Sequence, residues 1–153
     1  MPTSAYQDLS AFKLYACDCG LLRRLARLSP ESVLSGSSGY TEFKGALTEN
    51  AILQSIVAQH YATPYYWSSG NKAEVDFVLQ LKDDVIPIEV KSESRVSGKS
   101  LSVYSSKYNP PCRVRFSTND LKLNDGLLSC PIPLTDWLHK LLQVSPGCQV
   151  SPG

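Results

Sequence analysis

The sequence predicts an α/β domain built on a mixed β-sheet. Three observations predict it: a long helical stretch over residues 42–60, strand-like segments that follow it at hairpin spacing, and a later strand-like segment, residues 112–116, reached through a short helix. Hairpin spacing is typical of an antiparallel meander, whereas a strand reached through a helix is typical of a parallel crossover. With 153 residues, of which 42% are hydrophobic and 19% are charged, the chain can bury one core.

The first third of the chain predicts a short strand and two helices. Residues 11–16 read as the strand, and leucines recur at helical spacing over residues 21–28 until Ser29-Pro30 ends that helix. A flexible loop is expected at residues 35–39. Residues 42–60 then form the longest predicted helix, whose apolar face is supplied by Phe43, Leu47, Ile52, Leu53, Ile56 and Val57.

Three strands are predicted to follow this helix as a meander. The first is the aromatic segment 65–67, the second covers residues 74–81, and the third covers residues 86–91. Lys82-Asp83-Asp84 joins the second strand to the third as a hairpin turn.

The last third of the chain supplies the crossover and the end of the domain. A helix over residues 100–107 leads to the strand over residues 112–116, and Pro131 and Pro133 confine a further strand, residues 127–134, to a sheet edge. Thr135 or Asp136 caps a final helix whose inward residues are Trp137, Leu138, Leu141 and Leu142. We therefore expect one domain over residues 1–144 and a flexible tail over residues 145–153.

Composition excludes several classes of protein. No apolar run approaches the roughly 20 residues of a membrane span, and the first residues lack the layout of a secretion signal, so we expect a cytoplasmic protein. The formal net charge is only +1, so nucleic-acid contact has to come from a local patch. The five cysteines lack zinc-site spacing and predict reduced, mostly buried thiols.

Acids set into the two hairpin strands are the most informative feature of the chain. Asp76 lies in the first of these strands, and Glu89 and Lys91 point to one face of the second. Such charges are costly among apolar residues unless something pairs them. A divalent metal ion would do so, and it suggests phosphodiester chemistry.

Carboxylate oxygens suit Mg²⁺ or Mn²⁺, and Mg²⁺ takes few protein ligands. Asp76 and Glu89 are a sufficient contribution, with the Val90 carbonyl as a further ligand. Lys91 would position or deprotonate the attacking water, or neutralise the charge that develops on phosphate. Glu49, on or beside the buried face of the long helix, would orient a metal-bound water or bind a second ion.

Structural readings of the same residues stay open. Asp76 would then pair with a surface lysine, and Glu89 and Lys91 would form an ion pair of little energetic value. The sequence contains neither a nucleophile elbow of the G-x-S-x-G type nor a phosphate-binding P-loop, which excludes those two chemistries.

These residues resemble the PD-(D/E)XK nuclease superfamily, in which a helix Glu, a strand Asp and a Glu-x-Lys form one metal site. The resemblance is closer to one branch, the uncharacterised nuclease-like domain at the C-terminus of prokaryotic AAA-type ATPases. It covers most of the chain from about Phe12 to at least Tyr108. The motifs that carry it are Phe12-Lys13-Leu14-Tyr15, Asp18 to Leu22, Gly45-x-Leu47-x-Glu49-Asn50, Tyr66-Trp67-x-Ser69-Gly70, Glu74-Val75-Asp76-Phe77, Ile86 to Ser92 and Ser100-Leu101-x-Val103-Tyr104.

The resemblance implies a restriction-endonuclease-like fold, a mixed central sheet flanked by helices. It also implies that Asp76 and Glu89 bind the metal, that Lys91 is catalytic and that Glu49 supports the site. Members of that branch carry an N-terminal ATPase domain, which would be the partner of this domain. We therefore expect a Mg²⁺- or Mn²⁺-dependent nuclease acting on DNA through a metal-activated water.

Nucleic-acid contact is expected from the helix that follows the hairpin. Lys99 and Lys107 would meet the phosphate backbone, and Tyr104 would stack on an unpaired base, although it also suits the core. Two alternatives remain open: a non-catalytic module that docks nucleic acid or protein for an ATPase, and a structural or dimerisation domain. The sequence leaves open whether the substrate is DNA or RNA and whether it is single- or double-stranded. It also leaves open whether one or two metal ions bind, and the oligomeric state.

Overall fold

A mixed sheet of six strands organises the chain. In a computed structural model, which describes residues 3–60, 64–70, 72–93, 98–145 and 148, the strand order is β1-β2-β3-β4-β6-β5. Strands β1 to β3 form an antiparallel meander, β4 lies parallel to β3, β6 lies parallel to β4, and β5 lies antiparallel to β6. The predicted α/β class, meander and crossover strand are thus confirmed. The strands are β1 (Tyr65–Ser68), β2 (Glu74–Leu81), β3 (Asp84–Val90), β4 (Arg113–Ser117), β5 (Lys122–Asn124) and β6 (Leu127–Pro131).

Helices cover both faces of this sheet. The long helix α3 packs on one face together with the C-terminal elements, and α4 packs against β2 and β3 on the other. Among the described residues, no helix is long and apolar enough to cross a membrane. The α-helices are α1 (Cys19–Leu25), α2 (Pro30–Ser35), α3 (Ser38–His60), α4 (Lys99–Tyr108) and α5 (Leu138–Val144), and two 3-10 helices span Thr3–Tyr6 and Ile132–Trp137.

Two buried clusters follow from the alternation of side chains along β2, β3 and β4. The larger cluster lies between the sheet and α3, and it includes Phe77, Ile88 and Phe116 together with Ile52 and Ile56 of the helix. The smaller cluster lies under α4 and joins Val75, Val78, Leu101 and Tyr104. Because Ile88 faces the larger cluster, the next residue along β3, Glu89, faces the side that α4 covers.

The N-terminal part differs from the sequence prediction at three places. Residues 11–16 join no strand, and the amide of Ala16 donates instead to the side chain of Asn50 on α3 at 2.9 Å. Helix α1 ends at Leu25, before the predicted stop at Ser29-Pro30, and Pro30 instead starts α2, which Ser29 caps by accepting from the Ser32 amide. Helix α3 begins at Ser38, within the predicted loop, after Gly36 turns the chain at a φ of +63°.

Strand β6 is an internal strand and not the predicted edge strand. A two-residue turn at Asp125 and Gly126, both at positive φ, returns the chain so that β5 pairs with β6 and forms the edge. The prolines fit without breaking the sheet, since Pro131 is the last residue of β6 and Pro133 lies in the following 3-10 helix. In that helix Trp137 is exposed, whereas Leu138 and Leu142 of α5 are buried as predicted.

Two cysteines depart from the prediction of reduced thiols. Cys112, just before β4, and Cys148 form a disulfide, and both are buried in the larger cluster. Cys148 falls in the predicted flexible tail, yet it belongs to the core, and the other tail residues apart from Ser145 lie outside the described residues. Cys17, Cys19 and Cys130 are free thiols, of which Cys130 is buried.

Reduction of this disulfide should lower the free energy of unfolding by about 4 kcal/mol. The bridge closes a loop between cysteines 36 positions apart, which restricts the unfolded chain. We expect urea unfolding with and without a thiol reductant to show this difference in the wild type. The Cys148→Ser variant should already be at the lower stability and should not respond to the reductant.

Candidate functional site

Asp76 lies in an irregular stretch of β2 at the end of the hairpin. The pairing of β1 with β2 shifts register between Tyr65 opposite Val78 and Trp67 opposite Val75, so β2 carries one extra residue there. Such a bulge re-aims side chains and is frequent beside active sites. The Asp76 carboxylate, through Oδ2, accepts a hydrogen bond of 2.7 Å from the Val90 amide. The site is therefore built on the strand ends and not on a loop.

The environment of Asp76 favours its protonated form. Burial is the largest cause that raises the pKa of this carboxyl, and the nearby charge of Glu49 adds to it. The hydrogen bond from Val90 and the charges of Lys91 and Lys13 act in the opposite direction, and the resulting pKa is about 6. At neutral pH the protein therefore compensates the negative charge of this carboxylate only in part. A bound cation would supply the missing positive charge.

Glu89 and Lys91 share a second cluster on the face that α4 covers. Glu89 is 1% exposed, and its Oε2 accepts from Arg115 Nε at 2.9 Å. The other oxygen, Oε1, lies 3.5 Å from Lys91 Nζ. Arg115 reaches Glu89 because the parallel register sets these two residues side by side on β3 and β4. The predicted same-face pair of Glu89 and Lys91 is confirmed by this contact.

Glu49 projects from α3 toward residues 13–15, in the segment before α1. The hydroxyl of Tyr15 donates to Glu49 Oε1, and Lys13 Nζ lies 3.4 Å from the same oxygen. Lys13 also forms an ion pair with Glu74, the first residue of β2. Burial and the bond to Glu49 raise the pKa of Tyr15, so the phenol remains a donor. Glu49 is thus held by a neutral donor and by a cation.

Three residues of this region were missed by sequence reasoning. Lys13 and Tyr15 lie two residues apart and both contact Glu49, so alternation along the segment predicted as a strand is the signal that could have found them. Arg115 sits between Val114 and Phe116, and an arginine in such a buried strand indicates a buried acid nearby. Partial burial acts to lower the pKa of Lys13, but the Glu74 bond and the charges of Glu49, Glu74 and Asp76 outweigh it and raise this pKa.

The four predicted catalytic residues meet in two clusters that Asp76 connects. Its carboxyl responds to the charges of Glu49 on one side and Lys91 on the other, while Glu89 is engaged by Lys91 and Arg115. Within the described ranges, no group of three or more histidine, cysteine, aspartate or glutamate residues is placed to hold a metal ion. The hard carboxylate oxygens of Asp76 and Glu49 nevertheless suit Mg²⁺, which keeps most of its water shell.

The three predicted nucleic-acid contacts differ in exposure. Lys99 and Lys107 are exposed on α4, and Lys107 Nζ lies 5.1 Å from the centre of the Tyr108 ring. Tyr104 is 5% exposed and meets Trp67 edge-on with ring centres 5.2 Å apart. Its ring belongs to the smaller core cluster, so we correct our expectation that it stacks on a base. The exposed aromatic on this helix is Tyr108.

Neutralising Asp76 should change how stability depends on pH. Because the pKa of Asp76 is about 6 in the folded protein and 3.8 as its ordinary value, the folded state binds more protons between these values. Stability is then lost as the pH rises through 6, and it is regained toward pH 4. We expect the stability of Asp76→Asn relative to the wild type to rise by about 3 kcal/mol from about pH 4 to about pH 8, measured by urea unfolding.

The exposed Asp120 supplies the control for this measurement. Asp120→Asn makes the same chemical change at an aspartate that is exposed in the folded protein, and its stability curve should match that of the wild type. An Asp76→Asn curve parallel to that of the wild type would contradict the assignment of a raised pKa to Asp76.

Comparison with protein families gives one match. The model of the family described as "Domain of unknown function (DUF4143)" matches residues 44–135, which is more than half of the chain. This domain is typically found at the C-terminus of AAA ATPases. The match includes Glu49, Asp76, Glu89, Lys91 and Arg115, whereas Lys13 and Tyr15 lie before it. No curated protein and no solved structure matches the chain.

Proposed function

Because the chain belongs to the DUF4143 family, whose members are associated with AAA ATPases, we propose that it is a nuclease-like domain. In this proposal the sheet and its helices form a restriction-endonuclease-like fold, and the domain hydrolyses phosphodiester bonds of DNA with the help of Mg²⁺ or Mn²⁺. The partner of the domain is an ATPase domain. The carrying observation is the position of Asp76, a half-buried carboxylate between Glu49 and Lys91 at the end of a strand hairpin.

The charges around Asp76 support a cation site. Its pKa of about 6 means that the ionised form lacks sufficient compensation from the protein, and Glu49 contributes repulsion. Asp76 and Glu49 would hold Mg²⁺ or Mn²⁺ with the Val90 carbonyl, and Glu89 would join them only by exchanging Lys91 or Arg115 for the ion. When bound, such an ion lowers the pKa of water and stabilises negative charge on phosphate.

The protein's own residues supply positioning and charge. Lys91 is 37% exposed at the end of β3, so its ammonium can reach a phosphate as well as Glu89. There it would orient the water nucleophile and stabilise the oxygen charge that develops. The hydrogen bond from Val90 fixes the Asp76 carboxylate, and Tyr15 fixes that of Glu49. Lys99 and Lys107 on α4 would contact the backbone of the nucleic acid.

A second function has one observation in its favour. Both oxygens of Glu89 are engaged by cationic side chains, Oε2 by Arg115 and Oε1 by Lys91. A glutamate neutralised in this way suits a structural ion pair, as in a non-catalytic module that docks nucleic acid or protein for an ATPase. Such a module would bind DNA in a salt-sensitive manner without turnover.

Cleavage assays decide between the two functions. We expect purified protein to cut single- or double-stranded DNA in Mg²⁺ or Mn²⁺, and to stop in EDTA. Asp76→Asn should lower the rate by about 100-fold or more, while circular dichroism shows it folded. The matched control is Asp120→Asn, which should cut at the wild-type rate.

Two other outcomes would contradict the nuclease proposal. Folded wild-type protein that binds DNA but does not cut it in either metal, alone or with its ATPase partner, would favour the docking module. If Asp76→Asn cuts DNA at the wild-type rate, the activity comes from another site of the protein or from a contaminant.

A further inference from the structure

We propose that Lys13 is a resident counter-cation of the acidic site, which competes with a divalent metal ion for Glu49 and Asp76 and thereby sets the affinity of the site. This inference rests on the proposed function, because it concerns the same carboxylates. It assigns a role to a residue outside the range that the family model matches.

The position of the Lys13 ammonium is the first argument. Lys13 Nζ lies 3.4 Å from Glu49 Oε1 and forms an ion pair with Glu74. Its charge also acts on Asp76. A positive charge at this point substitutes for the charge that a metal ion would bring to the same acids.

The second argument is that the Lys13 ammonium is held in a defined position. The ring of Tyr66, on the edge strand β1, lies below it with 5.2 Å between Nζ and the ring centre. The ammonium is thus held by the aromatic face of Tyr66 together with Glu49 and Glu74. The side chain is still 26% exposed, so the ammonium has a path to solvent when another cation takes its place.

The third argument is that the backbone of Lys13 is anchored independently of its charge. The neighbouring Tyr15 donates to Glu49 and packs on Phe77 with ring centres 5.9 Å apart, and the Ala16 amide donates to Asn50. Asn50 is 1% exposed, and its bond with Ala16 is partly buried. Changing the Lys13 side chain therefore leaves the segment in place, so a substitution reports on the charge.

Direct binding of Mn²⁺, without DNA, tests the inference. The free-ion signal in electron paramagnetic resonance gives the dissociation constant for wild type, Lys13→Met, Lys13→Arg, Lys122→Met and Asp76→Asn. We expect Lys13→Met to bind Mn²⁺ about fivefold more tightly or better, since one charge within a few ångströms is removed. Lys13→Arg keeps the charge and should bind as the wild type does.

The other variants separate this inference from the proposed function. Lys122 is exposed on the distant edge strand β5, so Lys122→Met should bind as the wild type does. Asp76→Asn should bind more weakly. Should Asp76→Asn weaken binding while Lys13→Met leaves it unchanged or weaker, the inference fails and the metal site stands. Should no variant bind Mn²⁺ at millimolar concentration, both fail.

A second variant protects the test against a folding defect. Lys13→Gln also removes the charge and keeps a polar head that can bond to Glu49. We expect it to tighten Mn²⁺ binding in the same direction as Lys13→Met, and circular dichroism establishes that each variant is folded. If Lys13→Gln is folded and binds Mn²⁺ no more tightly than the wild type, the inference is overturned.

Discussion

Replacing Arg115 by methionine should lower the free energy of unfolding by roughly 3 to 5 kcal/mol. Glu89 is fully buried and receives its 2.9 Å hydrogen bond from Arg115, so the substitution leaves a buried carboxylate with Lys91 alone. The penalty is that of a desolvated charge without adequate compensation. Urea unfolding at neutral pH measures it.

A double variant distinguishes this penalty from a loss of packing. Arg115→Met combined with Glu89→Leu removes both charges and keeps the volume, so we expect it to be more stable than Arg115→Met alone. A double variant that is less stable than the single one would show that the cost comes from the shape of the core around β4 and not from the unpaired acid.

Replacing Lys91 by methionine should reduce DNA cleavage by about 100-fold or more while the protein stays folded. The ammonium is the partly exposed charge at the end of β3, and the aliphatic stem of methionine retains its packing. Glu89 keeps Arg115 as its partner, which limits the loss of stability. Initial rates in Mg²⁺ with a fixed excess of DNA measure the effect.

Two control variants separate the effect of the Lys91 charge from the effect of its position and shape. Lys122→Met removes an exposed lysine from β5 and should cut at the wild-type rate. Lys91→Arg keeps a positive charge but brings a planar, wider head, and we expect an intermediate rate. Full activity in Lys91→Met would show that Lys91 is not catalytic and that it serves only as the structural ion-pair partner of Glu89.

Local sequence signals were sufficient for most of the fold. The turn at Lys82 to Asp84 and the alternation on either side specified the β2–β3 hairpin, and the helix before β4 specified a parallel crossover. Strand β5 was not predicted, because it has three residues, of which Leu123 alone is apolar. The prediction of a strand over residues 11–16 was wrong. The alternation of side chains there is typical of a strand, but the Ala16 amide donates to a side chain on α3 and not to another strand.

The candidate site was predictable only where it is local in sequence. Strand alternation brings Glu89 to Lys91, and helical spacing turns Glu49 inward. The partners that give these acids their properties come from far along the chain: Tyr15 and Lys13 from the N-terminal segment, and Arg115 from the next parallel strand. The bulge in β2 likewise depends on the pairing with β1, which a single strand does not reveal.

The long helix α3 depends on residues that the ribosome makes more than 70 positions after it, from Thr135 onward. Gln59 of this helix donates to the Thr135 carbonyl at 2.9 Å, and Ser55 donates to Asp136. Leu138, Leu142 and Cys148 then close the same cluster against the sheet. During synthesis α3 is therefore complete while the apolar side that it turns to this cluster is still uncovered. The nascent domain then has a period of exposure to aggregation and chaperones that lasts at least until Leu138, Leu142 and Cys148 have emerged.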